Sequence, residues 1–390
     1  MSSSTLLDRS LSDPLHAARS GRAIGYLGWN VPVELILAAD VIPVQLSALP
    51  DASDTSLADR FLENSFSAPS RVVAQRWLAG DLDCLEAVIF SRSDDNAQRL
   101  YYYLCELQRM GECKGPRPLL YDLARIQRGT SVAHTIESTR ALATAIGTDE
   151  CRLPAAIHRV SARERLLAEL ATSRMAAEPP LGSVAYRIVR GARTEWSEEF
   201  DRTLQEWLSS RATVTPRKRM LLVGSVPSDD RVHSAIEVDG AVVVGEINEA
   251  SMVVSQATLA ASSVATSARR YYDQTNAASP AETIARRHDQ PNADSAVEII
   301  ARRYYDQTNG ASSLLQSPAN IIKAARDSRA DGVIVWMVAT DTGLAWQAPR
   351  IERALQEAGL PTLMLTSQPP TLSIDALTQI AQFRSALEVQ

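Results

Sequence analysis

The chain has 390 residues, of which 45% are apolar, and its 46 acidic and 40 basic side chains give a net charge of −6. That length supports two or three domains with sizeable cores. The charges are mixed and form no basic patch, which argues against a nucleic-acid partner. No apolar run nears the roughly 20 residues that cross a bilayer. The N-terminus, Met-Ser-Ser-Ser-Thr-Leu-Leu-Asp-Arg, lacks the basic segment and apolar core of a secretion signal. The expected location is therefore the cytoplasm, with no membrane association.

The first informative stretch is residues 21 to 46. Ile24 to Leu27 is an apolar run broken by Gly25 and followed by Gly28. Pro32 suits the first turn of a helix, where a missing N–H costs little. Leu35, Ile36 and Ala39 give that helix an apolar face, and Val41 to Leu46 returns as a strand. A strand that passes through glycine into a helix N-terminus leaves free N–H groups around a pocket. Gly25, Tyr26 and Gly28 are thus candidate binding positions. Glu34, in the first helical turn, favours the helix dipole; it is also a candidate catalytic carboxylate.

Helices are expected over Pro69 to Leu78 and Asp94 to Gln108, with a buried strand at Ala87 to Phe90 between them. Pro118 to Tyr121 suits a further strand. Residues 131 to 171 are helical with a break at Gly147 to Asp149, and Trp196 to Leu208 is another helix. Ala212 to Pro216 reads as a linker. Beyond it, short β-branched runs at Arg219 to Val223, Ala241 to Val244, Gly332 to Met337 and Thr362 to Leu365 alternate with helical segments. Such alternation means parallel sheets covered by helices. The expected fold is α/β, with two open parallel-sheet (Rossmann/flavodoxin-like) domains, 1–211 and 212–390, and a cleft at their interface. Gly224 and Ser225 end the first strand of the second domain, a natural ligand point of an open sheet.

Ala-Arg-Arg-Tyr-Tyr-Asp-Gln-Thr-Asn occurs at 268–276 and again at 301–309, with a degenerate copy at 285–292. Three copies do not make a solenoid. The expectation is a duplicated helical insertion near 268–309 whose Arg-Arg faces lie in water. A partner-docking surface made of Tyr271, Tyr272, Tyr304 and Tyr305 is the alternative.

Gly25-Tyr26, Pro32-Val33-Glu34-Leu35, Ala38-Ala39 and Pro43-Val44 resemble the opening of the 2-hydroxyglutaryl-CoA dehydratase / benzoyl-CoA reductase family. The similarity continues through Phe66 to Arg71, Ala87 to Asp94, Leu221 to Ser225, Ala330 to Ile334 and Gly359 to Leu363. The resemblance implies a subunit of a heterodimer that acts on an acyl-CoA thioester. It also implies a homologous partner and an ATP-dependent activator that delivers one electron to a [4Fe-4S] cluster.

Three cysteines per subunit hold that cluster in the family, and the matching positions here are Ser67, Ser93 and Thr340. The four cysteines present, Cys84, Cys105, Cys113 and Cys151, fall at none of them and form no C-x-x-C pair. Iron–sulfur clusters need soft thiolates, and a hydroxyl is a hard donor with a much higher pKa. The chain is therefore expected to hold no metal and no cofactor of its own. Ser67, Ser93 and Thr340 either form a hydroxyl-lined substrate pocket or fill space left by the lost ligands. Asp94 and Asp341 each follow one of these positions. They are candidate proton-transfer carboxylates, or they cap the next helix. Two functions stay open: a cluster-free dehydratase-like subunit, or a non-redox binding or assembly protein that keeps the fold.

Overall fold

The computed structural model describes residues 3–49, 54–126, 128–251, 295–315 and 317–387. Two four-stranded sheets, all of whose pairings are parallel, organise them. The first contains β1 (Ala23–Leu27), β2 (Ile42–Gln45), β3 (Ala87–Ser91) and β4 (Arg117–Tyr121) in the order β2-β1-β3-β4. The second contains β5 (Lys218–Gly224), β6 (Ala241–Ile247), β7 (Gly332–Val338) and β8 (Thr362–Gln368) in the order β6-β5-β7-β8. The α/β reading with two open parallel sheets is thus correct. In each sheet the strand order reverses between its first and third strands, so each has a crevice at that point.

The inner strands are buried on both faces, which accounts for their near-continuous apolar runs. Side chains of β1 and β3 alternate between two cores. Ile24, Tyr26 and Ile89 pack with the helices Val33–Ala38 and Leu153–Arg174. Leu27, Val88 and Phe90 pack with Ala68–Ala79 and Asp95–Met110. Pro32 lies one residue before its expected place, at the N-cap. The break at Gly147 is a left-handed helix end (φ 73°), where glycine avoids a Cβ clash. At Gly224 (φ 119°) a Cβ would collide with the Trp336 carbonyl oxygen of β7. Glycine there lets β5 turn off while it stays against its neighbour.

The helix Ala296–Leu315 lies far along the chain, yet it packs against the first sheet's helices. Its sequence includes the 301–309 copy of the repeat. Arg303 is 4% exposed and pairs with Glu34, which is 0% exposed. The Tyr304 hydroxyl donates to the other Glu34 oxygen at 3.1 Å. Tyr305 donates to the Ile126 carbonyl at 2.9 Å and accepts from the Arg128 N–H at 3.1 Å. The expected helix is present at this copy, but its Arg-Arg pair is divided between solvent and core, and the docking-surface alternative does not hold. Arg302 faces outward, but Arg303 lies inside, and the two tyrosines are core residues rather than a docking surface. The copies at 268–276 and 285–292, with Tyr271 and Tyr272, lie outside the described residues.

A charge taken out of water is costly unless it is paired, and removing one partner leaves the other stranded. Arg303→Ala should therefore destabilise the protein by about 3–5 kcal/mol, read as a lower urea midpoint. Replacing the exposed neighbour Arg302 with alanine should shift it by about 0.5 kcal/mol or less.

Candidate functional site

The crevices of the two sheets open onto one cleft of about 870 Å³. From the first sheet come Gly28 after β1, and Ser93 and Asp94 after β3; from the second come Ser225 after β5, and Thr340 and Asp341 after β7. Ser67, at the N-terminus of the helix Ala68–Ala79, joins them. The three positions that match cluster cysteines thus line a single cavity, although they come from separate segments.

Local hydrogen bonds fix each of these groups. The Ser67 N–H donates to Asn96 Oδ1 at 2.9 Å, and its hydroxyl donates to Ser70 Oγ at 3.1 Å. Ser93 Oγ lies 2.7 Å from Ser91 Oγ. Gly28 (φ 98°) brings its backbone against Ser91, whose Cβ would be 2.8 Å from any Cβ at that position. Ser225 donates to Asp341 Oδ2 at 3.0 Å and accepts from the Val338 N–H at 3.1 Å, which ties β5 to β7 at the cleft. Both candidate aspartates are helix caps: Asp94 accepts from the Ala97 N–H at 3.2 Å, and Asp341 from the Leu344 N–H at 3.3 Å. The two readings of these residues are therefore compatible, because capping one helix leaves a carboxylate facing the cleft.

Four other candidates lie elsewhere. Gly25 faces the core, where a Cβ would meet Leu85 and Leu46. Tyr26 is 2% exposed and donates to the Arg193 carbonyl at 3.2 Å; burial pushes its hydroxyl up to about 12. Glu34 is sealed in its pair with Arg303. Gly224 shapes the strand end but is not among the residues that line the cleft.

The structure adds Glu249, just beyond β6, which the sequence reading missed. Glu249 is exposed as a residue, but the protein atoms crowded around its carboxyl and the like charges of Asp94 and Asp341 push that carboxyl up to about 7, against the opposing influence of Arg125 and a hydrogen bond from Trp29. Confinement also raises Asp94, while the Ala97 and Asn96 N–H groups act the other way. Like charges that share one cleft favour the protonated form of Glu249. Such a group is matched to general acid–base chemistry.

Basic residues complete the walls: Arg125, Arg174, Arg190, Arg193 and Lys323. Arg190 and Arg193 come from the helix Gly182–Thr194, which the sequence reading did not identify. Arginine at 187, 190 and 193 repeats at helical spacing and was the available signal. The N-terminus of that helix is held by Glu237, which accepts from the Gly182 and Ser183 N–H groups at 2.5 and 3.0 Å. Arg174 donates to the Val243 carbonyl at 2.9 Å and to Glu246 at 2.8 Å. Burial alone would raise the Glu246 carboxyl, but His233 and Arg174 hold it well below the usual range. These bonds hold a helix of the first half of the chain against β6, and with it one wall of the cleft.

A [4Fe-4S] cluster does not suit this donor set. The cleft offers hydroxyls at all three relevant positions, and no cysteine lines it among the described residues. Cys84, Cys105 and Cys113 are half-buried elsewhere, and Cys151 is exposed. No cluster of histidine, cysteine or acidic side chains among the described residues could hold a metal ion.

Asp341→Asn removes one like charge facing Glu249 and should move the Glu249 pKa down from about 7 toward the ordinary carboxylate range. Carboxyl carbon NMR titration of the wild type and the variant checks this; an unchanged midpoint would show that the two groups do not interact.

Curated proteins offer no match to this chain. The family described as 2-hydroxyglutaryl-CoA dehydratase, D-component, matches residues 28–290 and 280–384. The two stretches overlap at 280–290, within the repeat region. Together they cover the chain from just after β1 through β8, and the chain belongs to the 2-hydroxyglutaryl-CoA dehydratase D-component family.

Proposed function

We propose that this chain is a 2-hydroxyacyl-CoA dehydratase-like subunit without an iron–sulfur cluster of its own, which acts with a cluster-bearing homologous partner on an acyl-CoA thioester. The observation that carries this reading is the meeting of Ser67, Ser93 and Thr340 in one cleft. On this reading the cleft is the family's site, with hard hydroxyl donors where the resemblance places soft thiolates. A cavity of about 870 Å³ is large enough for a sizeable organic ligand. Its arginines and lysine suit phosphate groups, and Glu249 with Asp94 and Asp341 supplies a place to take or return a proton. The redox step, with any activator ATPase, belongs to the partner side of the assembly. The cytoplasm is the compartment that fits such a substrate, and no helix among the described residues is long and apolar enough to cross a membrane.

A second reading is favoured by the donor set itself. Hydroxyls and a carboxyl whose pKa is raised by its neighbours suit proton chemistry without a redox partner. Anaerobic co-purification followed by iron analysis separates the two. A partner that brings iron while this chain alone has none supports the first reading. A chain that purifies alone, iron-free, and binds acyl-CoA supports the second. Near-stoichiometric iron in the isolated chain would overturn both.

Two outcomes follow for variants. Ser93→Cys alone should give no iron–sulfur absorption band after anaerobic reconstitution, because the hydroxyls at positions 67 and 340 remain. Thr340→Trp fills the cleft and should weaken acyl-CoA binding by about tenfold or more, which corresponds to roughly 1.4 kcal/mol. Calorimetric titration measures it, and a thermal melt confirms that the fold is kept.

A further inference from the structure

Beside the cleft lies a second, smaller chamber of about 20 Å³. Trp29, Leu167 and Arg193 line both, so the chamber shares a wall with the cleft. Its remaining polar lining is Arg163, Glu164, Trp196 and Tyr304. Four buried N–H groups of these residues have no hydrogen-bond acceptor: Arg163 Nη2, Arg193 Nε and Nη2, and Trp196 Nε1. The Arg163 side chain is only 2% exposed. Buried donors without acceptors are costly and uncommon. So many donors around one small space call for something there that accepts from all of them.

A space of this size suits a single water or a single halide-sized ion. A water accepts about two hydrogen bonds and must place two hydrogens of its own, which the neighbouring N–H groups oppose. A spherical anion accepts from every direction and places none. The local charges agree. Arg163 is matched by Asp201 at 2.6 Å, and Arg303 by Glu34. Arg193 faces Glu164, whose carboxyl burial pushes up to about 7 against the pull of Arg193. We propose that this chamber binds one small monovalent anion of the halide class, held by Arg163, Arg193 and Trp196.

The site is coupled to Glu164. The charged and titratable groups around that carboxyl are Arg163 on its own helix, Arg193 on Gly182–Thr194, Arg303 and Tyr304 on Ala296–Leu315, and Glu34 behind Arg303. A protonated Glu164 leaves the Arg193 charge for the anion, and an ionised one competes with it. Affinity should therefore fall as pH rises through about 7, by about tenfold between pH 6 and pH 8.

Bromide and chloride are the probes. Crystals of the full chain soaked in sodium bromide at pH 6 should show an anomalous peak between Arg163 and Arg193. Melting temperature should rise with sodium chloride above an equal concentration of sodium gluconate, and more at pH 6 than at pH 8. Arg193→Met should abolish the chloride-specific rise while its melt in gluconate stays cooperative. Glu164→Gln should keep the rise and remove its dependence on pH. Ordinary water density with no bromide signal, or equal melting in the two salts, would overturn the proposal. Because none of these readouts uses acyl-CoA or iron, they stand or fall apart from the proposed function.

Discussion

A carboxylate without water needs a cation, and Glu34 finds its own 269 residues along the chain, at Arg303. The organisation of the first layer follows from that demand. Glu34 sits on the short helix Val33–Ala38 that follows β1, beneath the glycine turn. Arg303 brings a helix from the far half of the chain down onto that spot, and Tyr304 satisfies the second oxygen. The helix Leu153–Arg174 contributes Glu164 to the same interior and Arg174 to the wall beside β6. One buried charge thus recruits elements that would otherwise be free to pack in several ways. The pair fastens the helix Ala296–Leu315 to the helices that cover the first sheet.

The cleft inherits its chemistry from that arrangement. Each sheet contributes its switch-point loops, so small polar residues from distant segments face one another. The aspartates that cap the helices after β3 and β7 are placed by ordinary helix geometry. Both lie where their charges act on Glu249 and raise its carboxyl. The pair Ser225–Asp341 also shows how a cleft-lining carboxylate is held, since the serine bonded to it is anchored to the β7 backbone end.

The strands could be read from the sequence because inner strands of parallel sheets are continuously apolar and the glycines mark their ends. Ser93-Asp94 and Thr340-Asp341 were singled out through the resemblance to the family, and the structure places both at strand-to-helix junctions that line the cleft. Glu249 could not, because it follows β6 with no motif, and its character comes from two aspartates far away in the chain. Arg303 was misread for a related reason. In three similar repeats, an Arg-Arg pair looks solvated at every copy. At the 301–309 copy, the position of Glu34 in space decides which of the two arginines is taken inside. Tyr26 and Gly25 looked like pocket residues because they adjoin Gly28, yet strand alternation turns them toward the two cores instead.

Gly224 contacts no candidate ligand, yet the Trp336 carbonyl leaves no room for any side chain there. Adding even one carbon would push β5 from β7 at the level where Ser225 holds Asp341. A map of tolerated substitutions would therefore mark position 224 as strictly as the cleft residues themselves. An experimenter who ranked sites by intolerance alone would mistake a spacer between two strands for part of the chemistry.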